Sequence, residues 1–221
     1  MISETERIVA TIFNAMFYGS DHTWNRGMIK WLGVPIYQNP CDMVMFQEVI
    51  WNTEPTIIIE TGSCYGGGAW FCASILEKMN KKARVISIDS QIDFKPQCKH
   101  PQITFFKGLS CDEKTIKYVK SQIKTADRVM VILDSDHSMK SVLAEMNAYG
   151  DMVTPDCFMV VCDTNLGGNP IVLLDVPKTE KGPHGAVEKY LKTHKEFVID
   201  LGRERFYLTF FPDGWLKKVM K

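Results

Sequence analysis

The segment from residue 57 to residue 68 constrains the fold of this chain more than any other. Its sequence is IIIETGSCYGGG, so three isoleucines are followed by an acid and then by a loop dense in glycine. A short apolar run is typical of a parallel strand buried on both faces, and glycine lets the following loop turn sharply and approach a ligand closely. Residues 69–79 then predict a helix whose first N–H groups lie beside the loop. Open α/β sheets bind ligands in such a crevice.

Strand and helix patterns alternate regularly after this segment. The predicted strands are Thr56–Ile59, Arg84–Ile88, Ile103–Phe106, Val129–Leu133, Phe158–Val161, Phe197–Asp200 and Phe206–Phe211, and the predicted helices are 69–79, 112–124, 138–149 and 185–193. Strands separated by helices indicate βαβ units. The last two strands are joined by only about five residues, which favours an antiparallel hairpin. The pattern therefore predicts an α/β fold with a doubly wound, seven-stranded, mostly parallel sheet and a C-terminal antiparallel hairpin.

The N-terminal part of the chain has a different pattern. Residues 1–18 carry apolar side chains at helical spacing, Thr23–Asp42 is irregular and rich in aromatic residues, and Met43–Trp51 again indicates a helix. We therefore expect two parts, an N-terminal helical and aromatic extension over residues 1–45 and a cofactor-binding domain over residues 46–221. The amphipathic first helix needs an apolar partner, and we expect a homo-oligomer.

Composition narrows the class of partner. Lys and Arg total 26 and Asp and Glu total 26, so no one-sided field favours nucleic acid or an anionic membrane. The first residues are acidic and no stretch approaches 18 apolar residues, so we expect neither a signal peptide nor membrane insertion. Seven scattered cysteines without zinc-type spacing favour reduced thiols and a cytoplasmic protein: Cys41, Cys64, Cys72, Cys98, Cys111, Cys157 and Cys162.

The glycine spacing bears on the choice of cofactor. Gly62 is followed by Gly66, Gly67 and Gly68, which is not the G-x-G-x-x-G pattern of dinucleotide-binding proteins. Asp89 ends the second strand, where an acid accepts hydrogen bonds from a ribose diol in several enzyme classes. Together with an acid before the glycines and the closing hairpin, the spacing favours S-adenosylmethionine. An NAD-type oxidoreductase remains the alternative.

Two more acids follow predicted strands. Asp134 comes after Val129–Leu133 and Asp163 after Phe158–Val161, so both emerge at the edge that carries the glycine loop. Oxygen ligands around a partly open position suit Mg²⁺. Asp134 could instead cap the next helix. His137 is a candidate general base, although a solvated loop histidine is the commoner case.

At these residues the chain resembles the cephalosporin hydroxylase family. The matching segments are Trp31–Pro35, Pro40-x-Asp42, Gln47-Glu48, residues 59–62, Leu133–His137, Asp163–Asn165, Gly182-Pro183 and Phe206–Gly214. The resemblance covers about residues 20–221. It implies a Rossmann-like methyltransferase fold and Mg²⁺-assisted transfer of a methyl group from S-adenosylmethionine to a hydroxyl of a sugar, a glycan or a natural product.

A more distant resemblance, to enzymes of the catechol O-methyltransferase type, implies roles for single positions. The cofactor residues would be Glu60, Gly62, Ser63, Gly66, Gly67, Asp89, Ser110 and Asp134. The metal ligands would be Asp134 and Asp163, and the catalytic residues Asp134 and His137, with His137 as the base.

One departure from the family pattern concerns the end of the fifth strand. Cys162-Asp163 stands where the family usually has Glu-Asp, which removes one oxygen ligand. Thr164 or Asn165 could replace it, or Mg²⁺ binding could be weak or absent. A non-catalytic partner subunit that binds the cofactor is then a further alternative.

Substrate contacts are expected from the parts that the cofactor fold explains least. These are Trp24, Trp31 and Tyr37 before the first strand, and the Leu166–His184 loop with its histidine His184. Aromatic faces suit a sugar ring, but core packing explains the same aromatic residues equally well.

Overall fold

The computed structural model describes residues 4–19, 29–79, 82–91, 98–167 and 181–220. Its helices are α1 (Glu4–Gly19), α2 (Pro40–Thr53), α3 (Gly67–Lys78), α4 (Glu113–Gln122), α5 (Met139–Tyr149) and α6 (Gly182–Tyr190). Its strands are β1 (Lys30–Trp31), β2 (Val34–Pro35), β3 (Ile57–Thr61), β4 (Arg84–Asp89), β5 (Ile103–Lys107), β6 (Val129–Leu133), β7 (Phe158–Val161), β8 (Phe197–Ile199) and β9 (Trp215–Lys218). As the sequence pattern predicts, α3 lies between β3 and β4, α4 between β5 and β6, and α5 between β6 and β7.

Seven strands form one sheet in the order β5-β4-β3-β6-β7-β9-β8. The strands β3 to β7 pair in parallel, and β9 is antiparallel to both β7 and β8. The prediction of a seven-stranded, mostly parallel sheet with antiparallel C-terminal strands is confirmed. The order reverses between β3 and β6, so the carboxyl ends of these two strands flank the position where such sheets bind ligands.

The sheet is buried on both faces, which explains its continuous apolar runs. All five side chains of β3 and all five of β6 are buried. Alternate residues along a strand face opposite sides, so Ile58 packs with helices α2 and α3, whereas Ile57 and Ile59 pack with residues of α5 and α6. This double burial fixes the register of the central strands, and with it the position of the residues at their ends.

The predicted strand over Phe206–Phe211 is wrong, because the strand that pairs with β8 is β9. Phe210 and Phe211 are completely buried, but their backbone bonds to a side chain of helix α2 and to loop groups rather than to a strand. The Phe210 N–H donates to the Asp42 carboxylate at 2.8 Å, and its carbonyl accepts from the Asn165 N–H at 3.1 Å. Apolar alternation predicted burial here correctly, but long-range hydrogen bonds decide the backbone path.

The N-terminal segment packs on the same core as α2 and α3. Phe17 and Tyr18, near the end of α1, lie against Phe210 with ring centroids 5.1 and 4.8 Å away. The opposite side of α1 is exposed. The predicted division between residues 45 and 46 falls inside helix α2.

Candidate active site

The loop between β3 and α3 has backbone geometry that glycine adopts easily. Gly62 and Gly66 have φ values of +86° and +85°, a region that a Cβ atom disfavours. A Cβ built on Gly62 would lie only 1.8 Å from the carbonyl oxygen of Asp134, which follows β6. The loop therefore packs directly against the end of the neighbouring strand, with no space for a side chain at Gly62.

Helix α3 begins directly after this loop. Its cap is Gly66, which has no side chain to cap the helix, and the Gly66 carbonyl accepts a hydrogen bond from the Cys98 thiol at 3.4 Å. A Cβ on Gly67 would meet the Pro35 carbonyl oxygen at 2.1 Å, and a Cβ on Gly68 would meet the Glu60 carboxylate at 2.2 Å. Pro35 and Glu60 thus pack closely against the start of α3, which leaves no space for side chains at Gly67 and Gly68.

Glu60, at the end of β3, is a buried acid beneath the glycine loop. It accepts a hydrogen bond from Ser87, and the Ser87 and Ser63 hydroxyl oxygens are 2.5 Å apart. Burial raises the pKa of Glu60 to about 8, although the bond from Ser87 opposes the shift. Ser63 therefore belongs to a hydroxyl chain that ends on Glu60, and its side chain is buried rather than directed into the open cleft.

Asp89, at the end of β4, holds the glycine loop from the other side. Its Oδ2 accepts the backbone N–H groups of Ser63 and Cys64 at 3.0 Å each, and its Oδ1 accepts the N–H of Gln91 at 2.9 Å. Asp89 also lines an open cleft of about 430 Å³. A carboxylate has about four acceptor positions, so this acid can fix the loop and still accept from a ligand.

The cleft brings together part of the predicted cofactor set. Gly62, Asp89 and Ser110 line it, together with Ser135 and Lys140 on the far wall. The other predicted cofactor residues do not line it. Glu60 and Asp134 border a separate cavity of about 20 Å³, and Ser63, Gly66 and Gly67 form the loop behind the cleft.

Asp134, His137 and Asp163 form one cluster where β6 and β7 end. One ligand atom from each lies within 4.8 Å of the others, and His137 Nε2 is 3.3 Å from Asp163 Oδ2. Asp163 has a φ of +54°, a left-handed conformation that aspartate adopts more readily than most residues. The parallel strands explain the convergence, because their carboxyl ends reach the same edge of the sheet.

The cluster carries more negative charge than its surroundings balance. Burial raises the pKa of Asp134, and the charge of Asp163 raises it further, while His137 lowers it. Burial also raises the pKa of Asp163. Among the described residues no lysine or arginine forms an ion pair with either acid. One buried and one half-buried carboxylate beside an imidazole are a donor set that fits a divalent cation, since the cation would offset the repulsion between the two carboxylates.

Other residues of the two strand ends have different partners. The cap of α5 is Ser138, which accepts the N–H of Ser141 at 3.3 Å, so Asp134 is not needed as a cap. The Thr164 hydroxyl donates to the Pro212 carbonyl at 2.6 Å. Thr164 thereby anchors the segment before β9 and is not joined to the cluster by any bond that the structure records. Cys162 is buried, and burial raises the pKa of its thiol, which disfavours a thiolate ligand.

Two side chains that no sequence pattern selected bond to the acidic cluster. Gln38 Nε2 donates to Asp134 Oδ2 at 2.9 Å, and the Tyr18 hydroxyl donates to Asp163 Oδ1 at 3.1 Å. Both come from the N-terminal segment, 96 and 145 residues away along the chain. The nearest signals were the aromatic segment around Tyr37 and the apolar spacing of the first helix, and neither points to an acid.

The predicted substrate residues have structural partners. Trp31 Nε1 donates to the Ser74 hydroxyl at 2.8 Å, and its ring packs edge-on against Phe71. His184 Nε2 lies 3.2 Å from the Asp213 carboxylate. Tyr37 stacks on Tyr65 of the glycine loop with centroids 6.1 Å apart. Trp24 and residues 168–180 of the Leu166–His184 loop lie outside the described residues.

Comparisons with known proteins identify the family of this chain. The family model described as rhamnosyl O-methyltransferase/CmcI matches residues 23–219. The rhamnosyl O-methyltransferase of Mycobacterium leprae (strain TN) is 33% identical over 224 residues, which cover 98% of this chain and 93% of that protein. The enzyme of the same name from Mycobacterium tuberculosis (strain H37Rv) is 30% identical, with 95% and 91% covered. In the part of the chain that the structure describes, no helix is long and apolar enough to cross a bilayer.

Solved structures of CmcI are similar in fold. The apo structure of its N160 form has a TM-score of 0.68 at 19% identity, and the Mg-SAM structure of its D160 form has a TM-score of 0.67 at 18% identity. Each comparison covers 91% of this chain and 81% of the other chain. The family match spans nearly the whole sequence and the fold is shared throughout. The chain belongs to the rhamnosyl O-methyltransferase/CmcI family of methyltransferases.

Proposed function

We propose that this protein transfers the methyl group of S-adenosylmethionine to a hydroxyl of a sugar, as part of a glycan or a glycosylated natural product. The observation that carries the proposal is the position of the Asp134, His137 and Asp163 cluster. A Cβ on Gly62, which lines the open cleft, would touch the Asp134 backbone. A donor bound in the cleft and an acceptor bound at the cluster would therefore be neighbours, which methyl transfer requires. The names of the mycobacterial relatives support a rhamnose-type acceptor.

We assign the cofactor roles from the residues that lie on the two sides of the glycine loop. Asp89 and Ser110 line the cleft and would bind the ribose and the adenine. Gly62, Ser63, Gly66 and Gly67 with Glu60 would hold the methionine part, next to the first N–H groups of α3. Asp134 lies behind Gly62 and would complete this end of the site. The fold of the Mg-SAM form of CmcI supports this arrangement.

Asp134 and Asp163 would hold Mg²⁺, for which their charge and convergence provide the site. When bound, the cation would lower the pKa of the acceptor hydroxyl and fix its position, and the sulfonium would supply the methyl carbon. Asp163 lies 3.3 Å from His137, orients its ring and would stabilise the protonated imidazole. His137 would accept the hydroxyl proton. Thr164 remains a weaker third ligand, since its hydroxyl already donates to Pro212.

The basic test measures methyl transfer from S-adenosylmethionine to rhamnosyl acceptors with Mg²⁺ and then with a chelator. We expect turnover that the chelator abolishes and that added Mg²⁺ restores. Turnover unchanged by the chelator would remove the metal role of Asp134 and Asp163. Binding of NAD in place of S-adenosylmethionine would reject the proposal as a whole.

The role of His137 is tested with His137→Gln. We expect kcat to fall about 100-fold or more, the usual contribution of a general base, while the affinity for Mn²⁺, used as a spectroscopic substitute, changes less than about threefold. A large loss of Mn²⁺ affinity would instead make His137 a ligand. His194 provides a control, because it stacks on Tyr190 at the end of α6 and takes no part in the cluster.

A homo-oligomer is proposed from the outer face of α1. Ile8, Val9, Ile12 and Met16 are each more than half exposed there, and such a cluster favours an apolar partner. Light scattering on the wild type and on Ile12→Glu tests it, and a wild type that is monomeric at micromolar concentration would contradict it.

The seven cysteines are free in the structure, which supports the proposed cytoplasmic location.

A further inference from the structure

We propose that the N-terminal segment is part of the metal site, with Tyr18 and Gln38 acting as positioning residues for the two acids. The proposal rests on the metal role of the cluster in the proposed function. Tyr18 lies outside residues 23–219, the part that the family model matches. The carboxylates therefore depend on a helix that sequence patterns place outside the cofactor-binding domain.

The two carboxylate oxygens of Asp163 have different partners, and Tyr18 is one of them. Its hydroxyl donates to Oδ1 at 3.1 Å, while Oδ2 lies 3.3 Å from His137 Nε2. One oxygen is thus fixed by the N-terminal helix, and the other faces the cluster. Tyr18 is only 3% exposed, so water does not readily replace this donor.

Gln38, in the segment before α2, bonds to one carboxylate oxygen of Asp134. Its amide nitrogen donates to Oδ2 at 2.9 Å, and the side chain is only 8% exposed. This leaves Oδ1 of Asp134 for the cluster. Hydrogen bonds to metal-binding carboxylates orient them, and their loss typically costs tenfold to a hundredfold in metal affinity or activity.

Packing alone would also explain a buried tyrosine at this position. The Tyr18 ring stacks on Phe210 at 4.8 Å, and its hydroxyl lies within 3.4 Å of the Asn165 side chain. A change that removes the hydroxyl and keeps the ring separates the two roles. Tyr18→Phe is that change, and Gln38→Met is its counterpart, since methionine has a similar length and cannot donate.

The experiment measures Mn²⁺ binding to the purified full-length protein by electron paramagnetic resonance, and S-adenosylmethionine binding by calorimetry. We expect Tyr18→Phe and Gln38→Met each to weaken Mn²⁺ binding about tenfold, with S-adenosylmethionine affinity changed less than about twofold. The Mg²⁺ concentration for half-maximal activity should rise in parallel, and excess Mg²⁺ should restore most of kcat.

The matched control is Tyr190→Phe. Tyr190 is equally buried, at 2% exposure, and its hydroxyl packs against Gly150, between α5 and β7, rather than against an acid of the cluster. We expect its Mn²⁺ affinity to equal that of the wild type. Thermal unfolding of all three variants monitors the structural contribution.

Three results would overturn the inference, and they differ in what else they reject. If Tyr18→Phe and Gln38→Met bind Mn²⁺ as the wild type does, the positioning role is wrong while the proposed function stands. If the wild type transfers methyl groups but binds no divalent cation, the metal role of the cluster fails and the inference fails with it. Equal weakening by Tyr190→Phe would also reject the inference, because the effect would then be a general one of buried hydroxyls.

Discussion

The glycine loop and the acidic cluster lie side by side but are held together in different ways. Asp89 bonds the loop through the N–H groups of Ser63 and Cys64, so the loop is fixed by the end of the next strand along the chain. The cluster is fixed by Tyr18 and Gln38, from the other end of the sequence. A binding loop can thus be specified by nearby residues in the sequence, whereas the hydrogen bonds that orient the acids depend on the whole fold.

The largest effect is expected where the two regions touch. Gly62→Ala would place a Cβ 1.8 Å from the Asp134 carbonyl oxygen at a φ of +86°. Strain and overlap together should lower the free energy of unfolding by about 3 kcal/mol or more, and binding of both the methyl donor and Mn²⁺ should be lost. Chemical unfolding and calorimetry measure the two effects.

The control for this change is Gly33→Ala. Gly33 has a similar φ of +89°, but a Cβ there has nothing within 4 Å. The cost should be about 1 kcal/mol from backbone strain alone. Equal costs at the two glycines would show that contact with the Asp134 backbone is unimportant.

Asp163→Asn should affect metal binding at the cluster without affecting cofactor binding at the glycine loop. The substitution removes one charge from the cluster and keeps the shape of the side chain. Mn²⁺ affinity should therefore fall about 100-fold, which is on the order of 3 kcal/mol. The affinity for S-adenosylmethionine should stay within about twofold of the wild-type value. Because the removed charge is buried and has no lysine or arginine partner among the described residues, the stability of the metal-free protein should stay equal or rise. The control Asp156→Asn changes an acid that pairs with Lys217 far from the cluster. Loss of donor binding in Asp163→Asn would mean that the two regions are one unit.

The smallest effect is expected on the pH dependence of stability, at Asp42. Its carboxylate holds the segment that contains Thr209 and Phe210. It accepts the Thr209 hydroxyl at 2.6 Å and the Phe210 N–H at 2.8 Å, and burial raises its pKa to about 7. Between about pH 4 and pH 7 the folded protein keeps a proton that the unfolded chain releases, so the free energy of unfolding falls as pH rises through this range. The loss is absent below that range and complete above it.

Asp42→Asn removes this titration. Unfolding in urea at pH 5 and pH 8 should show a smaller loss of stability in the variant than in the wild type, by an amount on the order of 2 kcal/mol. Glu60, whose pKa burial also raises, contributes equally to both proteins. An identical pH dependence would mean that Asp42 is already ionised in the folded protein at pH 5.

Much of the fold and part of the site followed from local pattern. Continuous apolar runs located β6 and β7 to the residue, and the parallel order placed Asp134 and Asp163 at one edge. The strand predicted over Phe206–Phe211 failed because alternation records which residues are buried, not where their backbone hydrogen bonds go. The ring of Trp31 packs on Phe71, which is the core packing that explains an aromatic residue there equally well, and its contact with a substrate stays a prediction.

The sheet, the glycine loop and the acids at the strand ends could be predicted from the sequence, since these depend on apolar period, glycine backbone freedom and strand direction. The donors that reach those acids depend on tertiary packing. Tyr18 meets Asp163 across 145 residues, and Thr209 meets Asp42 across 167. Such pairs carry no periodic signal, because the contact arises from the packing of distant elements rather than from neighbours along the chain.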